Sequence, residues 1–270
     1  MCEFCTQHGE GKKWYLVMSN YSRELYAQQS REEFMNDFLA HAEEYVYDKT
    51  KKIAKMTRVA NIPVVNRFIR RMAIRQQKAE HWGQVVPIED VEQIVDMQDS
   101  IVRLPCVCRN LTTGREARYC FGIGADPTGG MGKYPDYSHS LEVLEKEEAK
   151  KLLRSFDKQG MVHTIWTFKA PYIGGICNCD QDCMAYRSQV KNLLPLMFRA
   201  EYVGLVDWEL CKGCKNCLKQ CQFGAIRYSY TMKKATIEMK ACYGCGVCRA
   251  GCEPGAIRAK CNVFNPVAVK

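Results

Sequence analysis

Eight of the seventeen cysteines stand in two matching runs. The first is Cys211, Cys214, Cys217 and Cys221; the second is Cys242, Cys245, Cys248 and Cys252. Each reads C-x2-C-x2-C-x3-C. Thiolates are soft ligands that bind iron and zinc well. Spacings this short suit metal ligation better than disulfides, which also need an oxidising compartment. The second run begins 31 residues after the first, and the likeness extends past the cysteines. Gly224-Ala225-Ile226-Arg227 returns as Gly255-Ala256-Ile257-Arg258. The two runs are therefore an internal duplication.

The spacing has a geometric meaning. C-x2-C places successive thiolates on one tight turn, so three of them can hold three irons of one cube. The fourth cysteine is expected to open a short helix pointing away and to reach the other cube. Cys211, Cys214, Cys217 and Cys252 are thus expected to bind one 4Fe–4S cluster, and Cys242, Cys245, Cys248 and Cys221 a second. Gly213, Gly244 and Gly246 suit the tight turns and leave N–H groups free for sulfur. Two zinc ribbons are the rival, but these more often pair two C-x2-C knuckles across a longer loop.

Six further cysteines precede the runs: Cys106, Cys108, Cys120, Cys177, Cys179 and Cys183. They are too clustered for ordinary core thiols. Asp180 and Asp182 lie among the last three as possible oxygen donors, and any four of these eight residues would complete a third metal site. A third iron–sulfur cluster is the first expectation, zinc the second and a redox dithiol the third. Cys2, Cys5 and His8 are either metal ligands or thiols of a mobile terminus. His163 is a candidate proton donor or ligand, though a His in an apolar strand is more often packed. Arg109 and Arg187 are candidates to hold an anion or tune a cluster. The Gly-rich stretch Cys120–Lys133 fails as a phosphate loop, because Tyr134 follows Lys133 where Ser or Thr is needed.

Residues 203–261 resemble the bacterial ferredoxin domain with two 4Fe–4S clusters. The resemblance implies one-electron transfer at low potential between two close clusters. One departure is that Gln222 and Glu253 follow the fourth cysteines, where the family usually has Pro. The phrases Leu104-Pro105-Cys106-Val107-Cys108-Arg109 and Gly175-Ile176-Cys177-Asn178-Cys179 are similar to those of a group of ferredoxin-fused proteins of anaerobes. In that group the second phrase is denser in cysteine, whereas Asp180 and Asp182 interrupt it here. This second resemblance implies no defined reaction.

The rest of the chain must position these residues. A strand is expected over 12–18, and a helix capped by Ser30 with Glu33 three residues on. Helices are expected over 87–95 and 140–156, and strands over 100–104 and 161–168 leading toward the two C-x-C phrases. Residues 185–198 read as a helix interrupted at Pro195. From Lys49 to Lys78 there are ten Lys and Arg, the nearest acid being Asp48. That 49–78 region is expected to be helical. It would dock an acidic redox partner or touch a membrane peripherally, unless it is simply a solvated helix face.

Hydrophobic content of 47% against 26% charged excludes a disordered chain. No apolar run reaches the roughly 18 residues of a membrane span. The start of the chain lacks a signal peptide, so the cytoplasm is expected, in a reducing and anaerobic cell. The expected fold class is α+β: residues 1–200 as a mixed helical and strand domain with its own cysteine metal site, and 201–270 as a small dicluster ferredoxin-like domain. The expected function is iron–sulfur electron transfer to a partner redox enzyme or to the third site. A reductase acting at the middle cysteines is one alternative. A zinc-dependent regulatory or nucleic-acid-binding protein is another, weak because no known reading module is present, and no nucleic-acid partner is expected.

Overall fold

A computed structural model of the chain describes residues 3–41, 44–45, 47–48, 51, 71–72, 74–75, 80–124, 141–191 and 196–261. Most of the basic 49–78 stretch, Cys2 and residues 125–133 of the Gly-rich stretch lie outside them. The architecture is α+β. Its centre is a seven-stranded sheet of β1 (Gly83–Val85), β2 (Val102–Leu104), β3 (Cys120–Gly122), β4 (Glu142–Val143), β5 (Val162–Thr167), β6 (Ile173–Cys179) and β7 (Met197–Phe198). The strand order is β4-β2-β3-β6-β5-β1-β7. All neighbours are antiparallel except β1 and β7, which run parallel.

Two helices cover one face. In α4 (Ile88–Asp96), Val91, Ile94 and Val95 recur at helical spacing and are fully buried. In α6 (Lys146–Lys158), Ala149, Leu153 and Phe156 do the same. These stripes pack with Phe121, Ile165, Ile173 and Ile176 of the sheet. Each large side chain so buried contributes on the order of 2 kcal/mol. Strand alternation decides what the other face carries. With Ile176 and Asn178 toward the helices, Cys177 and Cys179 point away from them.

The amino-terminal segment closes this core. Helix α1 (Glu3–His8) buries Phe4 and Cys5, so it is docked rather than loose. Residues 14–16 and 18–21 form 3₁₀ turns, not the strand expected over 12–18. Tertiary bonds hold them: Trp14 Nε1 donates to Gln84 Oε1 at 2.5 Å, and Asn20 Nδ2 donates to the Trp14 carbonyl at 2.6 Å. After the short α2 (Arg23–Tyr26), α3 (Gln29–Ala40) starts one residue before Ser30, and Gln28 is its cap. Ser30 therefore lies inside the first turn. The helix expected from 140 begins only at Lys146, after β4. In place of a helix over 185–198 stand α7 (Met184–Tyr186), a π-turn at 187–191 and β7.

The carboxy-terminal part is small. It consists of two two-stranded ladders, β8 (Tyr202–Val206) with β11 (Ile257–Cys261) and β9 (Ile226–Ser229) with β10 (Lys234–Ile237). Between them lie α8 (Asn216–Gln220) and α9 (Val247–Ala250). This part is fastened to the sheet and its helices. Arg249 donates two hydrogen bonds to the Glu89 carboxylate, at 2.5 and 2.6 Å. Buried Asp90 accepts from Lys13, from Tyr15 Oη at 2.7 Å and from Tyr202 Oη at 2.9 Å. Among the described residues no helix is long and apolar enough to cross a membrane.

Candidate metal centres

Each ferredoxin-like quartet lines its own hollow. Cys211, Cys214 and Cys217 share one with Cys252. Cys242, Cys245 and Cys248 share the other with Cys221. Three thiols of one run thus meet the fourth thiol of the other run. The chain path explains it. Lys215 and Gly246 take left-handed backbone conformations and open α8 and α9, which carry Cys217 and Cys248. The short helix therefore lies before the fourth cysteine. Cys221 caps the end of α8 rather than opening a helix, and that exit turns its side chain toward the second run.

The turns need glycine. Gly213 and Gly244 have φ of 68° and 69°. A Cβ at Gly213 would meet the Lys233 carbonyl at 2.2 Å, and one at Gly244 the Tyr202 carbonyl at 2.1 Å. Backbone N–H groups point at the sulfurs. Ala225 N donates to Cys221 Sγ at 3.2 Å, and Gly204 N and Gly244 N donate to Cys242 Sγ at 3.4 Å. Such donors stabilise thiolate charge.

In each quartet a buried thiol resists ionisation, Cys217 in the first and Cys245 and Cys248 in the second. Burial, then neighbouring Cys252, Cys214 and Cys211, push the Cys217 thiol up to about 11. Burial, then Cys221 and Cys242, push Cys248 up to about 12. Converging thiols in a small buried volume are costly to ionise unless cations compensate. A cluster of iron ions supplies that compensation. The donor set, the hollows and the N–H groups fit a cubane in each quartet.

The six middle cysteines also come together. β3 and β6 pair so that Cys120 stands opposite Cys177. Cys106 precedes α5 (Val107–Thr113), which carries Cys108. The Cys106 and Cys120 sulfurs are 3.3 Å apart, and Cys120 faces Cys177 across the β3–β6 ladder. Cys108 and Cys179 both pack with Cys183. The six form one nest, on the sheet face turned away from α4 and α6. Cys179, Cys183 and Tyr186 pack there with Cys108, Cys177 and Phe223.

Arg109 governs the charge of the nest. It is 6% exposed, and it donates to Cys183 Sγ at 3.3 Å and to Asp180 at 2.8 Å. Its guanidinium also sits over the Tyr119 ring. Hydrogen bonds from Cys108 and Cys179, and then Arg109, pull the Cys183 thiol down to about 3. Contact with Cys120, then burial, drive Cys106 the other way. Asp180 and Asp182 both pair with Arg109, and Arg187 pairs with Asp182. His163 is buried in β5 on the opposite face, with Nδ1 2.6 Å from Asn178 Oδ1. Cys5 lies far from the nest in sequence and bonds Glu201 at 3.5 Å. His8 packs on Phe4. Among the described residues no three His, Cys, Asp or Glu side chains surround a point suited to a single metal ion.

Sequence reasoning did not anticipate the bridge between nest and quartets. Gln222, the residue replacing the family's Pro, sends Nε2 to the Gly160 carbonyl and, at 3.4 Å, to the Cys179 carbonyl. Phe223 packs on the nest and stacks on Tyr243. The departure from Pro was the available signal, because a side-chain amide after the fourth cysteine has to find a partner.

Two duplicated turns, crossed quartets and sulfur-directed N–H groups define a small ferredoxin-like unit. Residues 210–257 match the family model of the 4Fe–4S dicluster domain. This part of the chain is thereby an iron–sulfur unit whose cofactors are 4Fe–4S clusters. No curated protein and no solved structure matches the chain.

Proposed function

We propose that the chain is a low-potential electron-transfer protein with three metal centres. Cys211, Cys214, Cys217 and Cys252 hold one 4Fe–4S cluster, and Cys242, Cys245, Cys248 and Cys221 hold another. Residues 201–270 form the relay domain. Residues 1–200 form the domain that receives or hands on electrons, with a third centre drawn from the six-cysteine nest. A redox partner protein supplies or takes the electrons. Clustered thiolates require a reducing setting, which the cytoplasm of an anaerobic cell offers.

The observation that carries this reading is the crossing of ligands between the two hollows. A 4Fe–4S cluster bound there carries one electron at a time. The residues do the rest. The quartets fix each site, the N–H groups that donate to Cys221 and Cys242 stabilise negative charge, and the packed shell around Ile226, Ala256 and Ile257 shields Cys211, Cys217, Cys221, Cys248 and Cys252 from water. In the nest, Arg109 offsets the charge that six thiols would accumulate.

The test is iron and acid-labile sulfide analysis on anaerobically purified protein, with low-temperature EPR after dithionite reduction. About twelve irons with matching sulfide are expected if the nest holds a third cubane, and about eight if it holds zinc or nothing. Absence of acid-labile sulfide would sink the electron-transfer reading altogether.

A further inference from the structure

The two quartets sit in different surroundings. Cys214, in the first, is the one quartet cysteine that is exposed. The run of chain that carries it is basic. From Leu210 to Ile237 there are six Lys and Arg and no Asp or Glu. Lys212, Lys215 and Lys233 are exposed on the loops beside Cys214. Lys215 Nζ lies over the Tyr228 ring at 4.4 Å and the Tyr230 ring at 5.2 Å. Tyr230 is 79% exposed and Met232 53%. An exposed thiol ringed by lysines, with an exposed aromatic and a methionine beside it, presents positive charge complementary to an acidic protein surface.

The second quartet faces inward. Phe223, two residues after Cys221, stacks on Tyr243, the residue after Cys242. On its other side Phe223 meets Tyr186 at 6.0 Å and packs on the nest. Tyr186 Oη donates to the Gln222 carbonyl, and Gln222 Nε2 donates back to the Cys179 carbonyl. From Cys221 to Cys179 the path is therefore one peptide, one side chain and one hydrogen bond. The Arg249–Glu89 pair and the Asp90 network hold this contact fixed.

We propose that the two quartets are distinct ports. The Cys214 quartet is the outward port and docks an acidic redox protein. The Cys221 quartet is the inward port and exchanges electrons with the nest through Gln222 and Phe223. This rests on the three-centre reading above. One electron would leave the reduced cofactor of the acidic partner, which is oxidised by one electron, and reduce by one electron an iron–sulfur cluster held by the nest cysteines. No bond to carbon forms or breaks. The lysines act at long range, raising encounter rates with a negatively charged partner. Phe223 and Gln222 are positioning residues that keep packed, water-free matter between the inner quartet and the nest.

The test uses anaerobic holo-protein and stopped-flow mixing with a dithionite-reduced, strongly acidic flavodoxin as the probe. Iron, sulfide and EPR are measured first; missing sulfide at that stage defeats the underlying reading and not the port assignment. With clusters present, K212E/K215E is expected to slow reduction about tenfold at low salt and to flatten its salt dependence. The same charge change on α6, K146E/K151E, is expected to leave the rate near wild type. Equal effects of the two pairs, or no effect of the first, would overturn the outward port. For the inward port, F223L is expected to slow the second kinetic phase, transfer into the nest, without altering iron content or the first phase. F223Y is expected to restore it. An unchanged second phase in F223L, or a nest with no reducible centre, would overturn the inward port.

Discussion

Phe223 lies face to face with Tyr243, their ring centroids 3.9 Å apart and their planes 9° from parallel. Each ring belongs to a different copy of the duplicated unit, and each directly follows or nearly follows a ligand cysteine. The stack is anchored on both sides. Gln189 Nε2 donates to Tyr243 Oη at 2.6 Å, and the Arg199 guanidinium sits over the Tyr243 ring. Neither residue has a counterpart of its kind at the equivalent place near the outer quartet. The duplication is symmetric in its cysteines and asymmetric in what surrounds them.

The crossed ligand pattern predicts which cluster each cysteine supports. Cys252→Ala should damage the cluster of Cys211, Cys214 and Cys217, although Cys252 belongs to the second run. Cys221→Ala should damage the other. Each variant should lose up to about four irons, or convert one site to a three-iron form. Combining C252A with C217A should cost no more iron than C217A alone, since both act on one site. Combining C252A with C248A should cost roughly twice as much. Iron content and EPR of anaerobic protein decide it, and additive loss in the first pair would contradict the crossing.

The docking of the small unit onto the sheet predicts a large effect from Asp90→Ala. Asp90 is 1% exposed and accepts from Lys13, Tyr15 and Tyr202. Removing it leaves the Lys13 ammonium only Tyr202 Oη to donate to, and leaves the Tyr15 and Tyr202 hydroxyls without this acceptor. The expected cost is about 3–5 kcal/mol, as for breaking a buried pair by removing one partner. Glu89→Gln, at the more exposed Arg249 pair, should cost under about 1 kcal/mol. Urea denaturation of the holo-protein followed by near-ultraviolet circular dichroism measures both. Similar midpoints for D90A and wild type would refute the assignment of Asp90 as the fastening point.

Backbone strain yields a third prediction. Gly213 and Gly244 combine a left-handed φ with a Cβ position occupied by a carbonyl oxygen. Gly224 and Gly255 have similar φ values, of 64° and 66°, but open space around the Cβ. Alanine at Gly224 or Gly255 should therefore cost only the left-handed conformation, about 1 kcal/mol. Alanine at Gly213 or Gly244 must also move a strand or turn, and should lose the neighbouring cluster. The comparison, read by iron content and thermal midpoint, separates conformational strain from steric exclusion. Equal behaviour of the four variants would show that the carbonyl contacts carry no weight.

The outcome shows which information is local. The two quartets were legible because covalent spacing alone places three thiols on one turn, and because the duplication repeats down to Gly-Ala-Ile-Arg. The helices over 88–96 and 146–158 were legible from their apolar stripes. The meeting of Cys106 with Cys120, and of Cys120 with Cys177, was not. It depends on β2–β3 and β3–β6 pairing across long stretches of chain, which no local pattern encodes. The turn at Trp14 was misread for the same reason. An apolar run reads as a strand, but the bond from Trp14 to Gln84 and the burial beside Phe4 and His81 impose a 3₁₀ turn. Ser30 had the pattern of a cap, yet Arg31, bonded to the Lys169 carbonyl and to Gln28, sets where α3 begins.

His81 predicts a dependence of stability on pH that is separate from the metal centres. Its ring is sandwiched between Phe4 and Phe198, with centroids 4.0 Å from each and near-parallel planes. Its Nε2 lies 3.0 Å from Gln84 Oε1, which also accepts from Trp14, so the neutral ring is the donor there. Burial lowers its pKa from 6.5 to about 4, against the opposing hydrogen bond to Gln84, with nearby His8 lowering it further. The sign follows from linkage. Above 6.5 the ring is neutral in both folded and unfolded chains, and the full stability is present. As pH falls from 6.5 toward 4 the unfolded chain takes up the proton first, and stability drops by up to about 3 kcal/mol. Below 4 the folded ring protonates too and the loss levels off. His81→Phe keeps the stack and removes the proton, so its stability should fall less steeply between pH 7 and 5. Denaturation midpoints of both proteins across that range test it, with iron content checked at each pH so that cluster loss is not mistaken for the histidine. Parallel slopes for variant and wild type would show that His81 does not carry the linkage.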